Sequence, residues 1–265
     1  MRILFFGDIV GRNGRQVVKR HLSELVDKYR IDFVIANGEN ATHGKGLIEK
    51  HYGELIDAGV DAITLGNHYA RKSEIKRYIE EAECLIRPLN ILVPFGGVGS
   101  RLFEIEGAKI RVTNILATAF MKEEVNNPYY ALKDLLAEVT PDEIHIVDFH
   151  GEATAEKMAF AYAFDGQVQA VLGTHTHVQT RDYRLLPKGT AYISDVGMCG
   201  PYNGVIGFKK EEVMNRTLFG GEDLFQLDDG DQSLLSAVVI DIDNHSLKAK
   251  EIFPIYIIEN GRSDG

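Results

Sequence analysis

Five polar clusters in this chain each follow directly on a short apolar run: Phe6-Gly7-Asp8, Asn37-Gly38-Glu39-Asn40, Gly66-Asn67-His68, Asp148-Phe149-His150 and Gly173-Thr174-His175-Thr176-His177. Aspartate, glutamate, asparagine and histidine are the side chains that hold borderline-hard metals through oxygen and nitrogen. Taken singly, each has a plainer reading. Asp8 would cap a following helix, Asn67 would serve a turn after Gly66, and His150 would be a satisfied core histidine. Taken together they argue for a metal centre, because five independent caps would not all need metal-ligand chemistry. His175 and His177 add to this, since alternate residues of a strand-like segment share a face and both imidazoles would enter one cavity. The segment from Gly38 to Gly46 is not a phosphate-binding P-loop. Glu39 stands where the first glycine is needed, and Gly46 replaces the Ser or Thr after Lys45.

The elements that must carry these clusters alternate short apolar runs with longer amphipathic ones, the pattern of βαβ units. Strands are expected at Ile3–Phe6, Phe33–Ala36, Ala62–Leu65, Ile144–Phe149, Val168–Gly173, Ala191–Asp195, Ser236–Ile242 and Leu247–Ile258. A hairpin is expected over Leu102–Ile105 and Ile110–Ile115. Helices are predicted over Gly14–Tyr29, Ile48–Ala58, Pro128–Val139 and Thr154–Phe164, with a charged one capped by Ser73 and running through Ala82. Lys209 to Asp231 is the least patterned stretch and reads as a helix plus loop that caps the domain. The clusters therefore sit at the carboxyl ends of strands, the rim where α/β folds bind ligands. The predicted architecture is an α/β two-sheet sandwich of mixed strands flanked by helices, in one domain over residues 1–265.

Composition excludes several other roles. Thirty-nine acidic against 29 basic residues leave a net charge of −10, which makes the chain a poor binder of duplex DNA or of anionic membrane. Arg12, Arg15, Lys45, Arg71, Lys72 and Arg181 near the rim are read, for the most part, as solvated surface. Two cysteines cannot build a disulfide framework or a four-cysteine zinc site. The first apolar run is too short for a signal peptide, and no apolar stretch approaches the roughly 18 to 20 residues of a membrane span. A cytoplasmic protein is expected.

On these clusters the chain resembles the calcineurin-like metallophosphoesterase superfamily, whose motifs are read here as Gly7-Asp8-Ile9-Val10-Gly11, Gly38-Glu39-Asn40, Gly66-Asn67-His68, His150 and Gly173-Thr174-His175-Thr176-His177. Glu39 stands where most of the superfamily has Asp. With Val147–Thr154 and Asp195–Pro201, that substitution narrows the resemblance to the bacterial YmdB-like branch, whose members are described as cyclic-nucleotide phosphodiesterases. Two positions depart from the branch: Tyr69-Ala70-Arg71 carries no Trp-Asp pair, and Cys199 replaces Thr.

The resemblance implies a two-metal site. Asp8, Glu39, Asn40 and His177 would hold one ion, and Glu39, Asn67, His150 and His175 the other, with Glu39 bridging. Iron or manganese is implied, and the donor set admits zinc. Two carboxylates and two divalent ions leave the site with about two net positive charges, enough to hold a phosphate inside an acidic protein. The implied reaction is hydrolysis of a small cyclic nucleotide, a 2′,3′-cyclic one included, by a metal-bridging hydroxide with His68 as the proton donor. A phosphomonoesterase or nucleotidase, and a metal-binding regulatory scaffold acting through a partner, are the alternatives. The expected partners are small phosphate esters, with neither duplex DNA nor membrane, and a homo-oligomer is compatible with the reading.

Overall fold

In the computed structural model, which describes residues 1–260, Ile3, Leu4, Phe5 and Phe6 are all fully buried. A strand that is apolar at every position must be covered on both faces, and this sets the order of layers. The chain runs β1 (Arg2–Phe6), β2 (Asp8–Ile9), α1 (Gly11–Tyr29), β3 (Phe33–Asn37), α2 (Glu49–Asp57), β4 (Ala62–Thr64), α3 (Ile75–Tyr78) and β5 (Leu85–Ile86). There follow β6 (Ser100–Ile105), β7 (Ala108–Leu116), α4 (Pro128–Leu136), β8 (Glu143–His150), α5 (Thr154–Ala163) and β9 (Ala170–Thr174). The chain closes with β10 (Arg184–Leu185), β11 (Ala191–Ile193), β12 (Met198–Pro201), α6 (Lys210–Leu218), β13 (Gln232–Ile242) and β14 (Ala249–Asn260).

One sheet has the order β2-β12-β13-β1-β3-β4-β5, with β14 also paired to β13; the other has the order β10-β11-β9-β8-β7-β6. Strands β1, β3, β4 and β5 are mutually parallel, as are β7, β8, β9 and β11, so the carboxyl ends of both central blocks form a common rim. Alternation within each strand divides the core. Ile3, Phe5, Phe33 and Ile35 face Ile110, Val112, Ile144, Ile146 and Leu172 between the sheets. Leu4, Phe6, Val34 and Ala36 turn outward onto Val17, Val18, Leu22 and Leu25 of α1. Val147, Phe149 and Val171 turn to the opposite side, onto Leu132 of α4 and Phe160, Ala161 and Phe164. The expected two-sheet sandwich flanked by helices is the architecture found.

Two expected elements differ. The charged helix from Ser73 to Ala82 is a single α-helical turn, with no side-chain cap at its start. Its neighbours close tighter i-to-i+3 bonds, such as Ile75 to Lys72 and Lys76 to Ser73. This compact turn still buries Ile75, Tyr78, Ile79 and Ala82, so packing is satisfied without helical continuity. The hairpin turn is two residues long rather than four. Glu106 (φ 49°) and Gly107 (φ 83°) both lie in the left-handed region that such a turn requires. Among the described residues no helix is long and apolar enough to cross a membrane.

Candidate metal centre

Asp8, which opens β2, meets Glu39, Asn40, Asn67, His68, His150, His175 and His177, at or beyond the ends of β3, β4, β8 and β9, at one point of the rim. Ligand atoms of Glu39, His150 and His175 all lie within 4.8 Å of one another. The two central imidazoles converge, with His150 Nε2 3.1 Å from His175 Nδ1 and 3.1 Å from Asn67 Oδ1. His150 Nε2 is also 3.4 Å from Glu39 Oε1. On the other side of Glu39, the Asn40 amide nitrogen donates to Glu39 Oε1 at 2.9 Å and lies 3.2 Å from His177 Nε2. The Asn40 oxygen accepts from His68 Nδ1 at 2.8 Å. Asp8 is fully buried; its Oδ2 accepts the His175 backbone N–H at 3.0 Å, while its Oδ1 has no hydrogen-bond partner among the described residues.

The far nitrogen of each histidine shows how the rings are held. His150 Nδ1 donates to Thr174 Oγ1 (2.8 Å), which donates in turn to Asp148 (2.6 Å). His177 Nδ1 donates to the Ile206 carbonyl at 2.9 Å, and His175 Nε2 faces the Glu152 carboxylate at 3.3 Å. An acceptor behind each ring turns the other nitrogen toward the cavity, which is how proteins orient metal-ligating histidines. A buried carboxylate oxygen left without a partner, beside converging imidazole nitrogens and a second buried carboxylate, is a donor set that fits divalent cations.

Burial opposes charge on Glu39, but His150 and His68 keep its carboxyl well below the usual range. Burial likewise opposes charge on His150, but Glu39 raises it to about 9. Burial, followed by the His150 charge, pushes His175 down to about 3, leaving it neutral. Burial raises Asp8, against the pull of His177 and His150.

The backbone delivers the two rim histidines differently from the strand alternation expected for them. Strand β9 stops at Thr174, and His175 (φ 108°) and His177 (φ 67°) both adopt left-handed backbone conformations. Such residues persist only where their surroundings hold them. Here the hold is Lys157, fully buried on α5, whose Nζ donates to the Thr174 carbonyl (2.8 Å) and to Asp195 Oδ2 (2.9 Å). Asp195 also accepts the backbone N–H groups of Thr176 and Gly197, both at 2.9 Å. A second support lies below the centre. Asp148 accepts from Asn37 (2.9 Å), Thr64 (2.6 Å) and Thr174 (2.6 Å), linking β3 and β4 of one sheet to β8 and β9 of the other. Burial raises the Asp148 carboxyl to about 6, and these three bonds oppose the rise.

Sequence reasoning passed over Lys157, and the available signal was a lysine within the small, apolar run from Thr154 to Phe164. Gly66 also has a local reason. A Cβ there would lie 2.6 Å from His150 Nε2, inside the cluster. Of the two departures, Cys199 is buried beneath α1 with its Sγ donating to the Ser236 carbonyl at 3.4 Å, so it belongs to the core. Tyr69 stacks on Phe95 with ring centroids 5.2 Å apart. Above the centre opens a cavity of 270 Å³ lined by Glu39, His68, Glu152, His175, Ile206 and Phe208, among others. The last two come from the connection before α6, in front of the weakly patterned stretch. A larger hollow of 620 Å³ beside α4 contains none of the clustered residues.

A relative from Bacillus subtilis (strain 168), named 2′,3′-cyclic-nucleotide 2′-phosphodiesterase, is 45% identical over 258 residues, covering 97% of each chain. A Mycoplasma pneumoniae crystal structure described as a novel phosphatase superposes with a TM-score of 0.93 at 42% identity, covering 99% of this chain and 95% of that one. A crystal structure of a hypothetical protein from Thermus thermophilus gives a TM-score of 0.91 at 39% identity, covering 98% of this chain and 100% of that one. The fold is thus the metallophosphoesterase-like one that the strand-end clusters implied. With the model for YmdB-like proteins matching residues 4–255, the chain belongs to the YmdB-like family.

Proposed function

We propose that the chain acts as one domain: a binuclear, metal-dependent phosphodiesterase that hydrolyses small cyclic nucleotides, 2′,3′-cyclic ones first among them. At the coarser level it is a phosphoric ester hydrolase, as the naming of its Bacillus relative supports. The observation that carries the reading is the set of three imidazoles, each backed by an acceptor and turned toward two buried carboxylates, under a cavity of nucleotide scale. Asp8, Glu39, Asn40 and His177 would hold one cation, and Glu39, Asn67, His150 and His175 the other. Asn40 must turn its amide over to offer oxygen, releasing His68. Iron or manganese suits these donors, and zinc is compatible with them. When bound, the pair supplies water of lowered pKa and neutralises charge on the phosphoryl oxygens.

The remaining chemistry belongs to the protein. His68 is part-exposed at the cavity wall, and once Asn40 has turned its amide the neighbour of its Nδ1 is Glu39 Oε1, 3.3 Å away. With Nδ1 turned to Glu39, Nε2 is free to protonate the departing ribose oxygen, a role typically worth about 10²- to 10⁴-fold in rate. Ile206 and Phe208 form an apolar wall suited to a nucleobase. The test is metal-stripped protein reloaded with Mn²⁺ or Fe²⁺ and given matched cyclic diesters and monoesters. Cleavage of at least one cyclic diester faster than its monoester, only after reloading, is the expected result. Monoester preference turns the reading to a nucleotidase. Background rates on the whole panel with metals in place turn it to a binding protein, and activity without metal overturns the mechanism.

A further inference from the structure

Arg12, Arg15 and Lys19 on α1, with Lys50 and Glu54 on α2, line a groove of 430 Å³ that contains none of the clustered metal-centre residues. Four cations face one carboxylate in a protein whose net charge is −10. That carboxylate is already engaged, with Glu54 2.8 Å from Arg15 Nε and 4.0 Å from Lys50 Nζ. The remaining positive charge has no partner in the groove. It also stands at the start of α1, which has no acidic residue in its first turn and no side-chain cap. Cations at the positive end of a helix dipole oppose folding, so an anion laid over them would relieve both.

The groove joins the metal centre through one short loop. Arg15, with its side chain only 13% exposed, donates from Nη1 to the Ala41 carbonyl. The Gly11 N–H donates to the Asn40 carbonyl at 3.0 Å. At the far end of the same loop, the Lys72 side chain and Arg71 Cβ pack against Gly46. The loop from Ala41 to Gly46 therefore leaves the cavity with cations on both flanks. A 2′,3′-cyclic mononucleotide has a single phosphate, and the proposed reaction places it at the metal centre. A 2′,3′-cyclic phosphate can also end an RNA strand, and such a strand continues only from the 5′ side of its last nucleotide.

We infer that the α1–α2 groove is a phosphate-backbone subsite, and that the extended substrate is a short single-stranded RNA bearing a 2′,3′-cyclic phosphate at its 3′ end. The chemistry at the centre rests on the phosphodiesterase reading; the groove rests on its own residues. Two or three phosphates held there give a single-strand salt slope of about −0.7 per phosphate, so affinity falls about 7- to 18-fold between 50 and 200 mM salt. The variant is the double charge reversal Lys19→Glu with Lys50→Glu, both exposed and both outside the metal centre.

Two measurements are made. The first compares kcat/KM for a 2′,3′-cyclic mononucleotide, the same nucleotide carrying a 5′-phosphate, and a hexaribonucleotide with a 2′,3′-cyclic end. The second measures anisotropy of a labelled hexaribonucleotide with a 3′-phosphate on metal-free protein. The hexamer is expected to exceed the mononucleotide about tenfold in kcat/KM at 50 mM salt. The double variant removes that advantage, leaves the mononucleotide unchanged, and weakens hexamer binding with a shallower salt slope. A hexamer no better than the mononucleotide, or binding unmoved by the charge reversal, overturns the subsite. A full advantage from the 5′-phosphate alone overturns the RNA assignment in favour of a small nucleotide, and equal competition by an acidic peptide of matched charge overturns it in favour of a protein ligand. If no cyclic ester is cleaved but hexamer binding still falls on reversal, the phosphodiesterase reading has failed and the groove stands.

Discussion

Replacing Lys157 by Met removes a cation with no solvent contact and leaves its partner Asp195, 1% exposed, as a buried negative charge. Asp195 retains two backbone donors, Thr176 and Gly197, which soften the loss but do not neutralise it. Breaking a buried ion pair by removing one partner costs about 3–5 kcal/mol, because the other charge stays desolvated. With an m value of about 3 kcal/mol/M in urea, the midpoint of metal-free protein falls by about 1 to 1.7 M. The double variant Lys157→Met with Asp195→Asn loses less than the single one, since no bare charge remains. The lost bond to the Thr174 carbonyl also frees the backbone that holds His175 at φ 108°. Both variants should therefore bind metal more weakly than the wild type. Urea unfolding read by circular dichroism, alongside metal titration, checks this. A single variant within 1 kcal/mol of wild type, or a double variant as unstable as the single, would refute the ion-pair account of how this loop is held.

Three further expectations follow from the site and its surroundings. Glu39→Gln should lower both metal stoichiometry and turnover, because the carboxylate lies between both groups of candidate ligands; unchanged stoichiometry by elemental analysis removes its bridging role. His68→Ala should keep the metals, lose about 10²- to 10⁴-fold on a ribose-leaving diester and much less on a nitrophenyl ester, whose leaving group needs no proton; equal losses on both show that His68 is not the acid. Buried His145, pushed down to about 3 by burial and then by Arg111, stays neutral in the folded protein while the unfolded chain takes up a proton below its ordinary value of 6.5. Its share of stability is thus present above pH 6.5 and is lost toward pH 3, by about 1.4 kcal/mol per unit; His145→Gln should flatten the acid limb of a stability–pH curve, and an unchanged slope refutes the assignment.

Much of this molecule was legible in the order of its residues. Strand periodicity and the apolar face of α1 depend on neighbours a few positions apart, so local pattern carries them. The same is true of the polar residues after each apolar run. A parallel strand has to end on the rim, and whatever follows it stands there with the residues that follow its neighbours. The five polar clusters could therefore be placed on the rim before any distance was known, and the family resemblance singled out eight residues within them.

The contacts that hold them had no such local mark. Asn37, Thr64, Asp148 and Thr174 meet because four strands from two sheets stack, and nothing near any one of them in the chain announces the others. Lys157 is distinguished from a surface lysine only by the burial of α5 and by the arrival of Asp195. The acceptor behind His177 is a main-chain carbonyl, at Ile206, which any residue would supply. Even the alternation that was to aim His175 and His177 gave way to a loop with two left-handed residues, tied down by bonds from elsewhere. Side-chain chemistry and short-range spacing specify which groups can bind a metal. Their orientation and protonation come from burial and from partners distant in the chain, and only the packed structure supplies those.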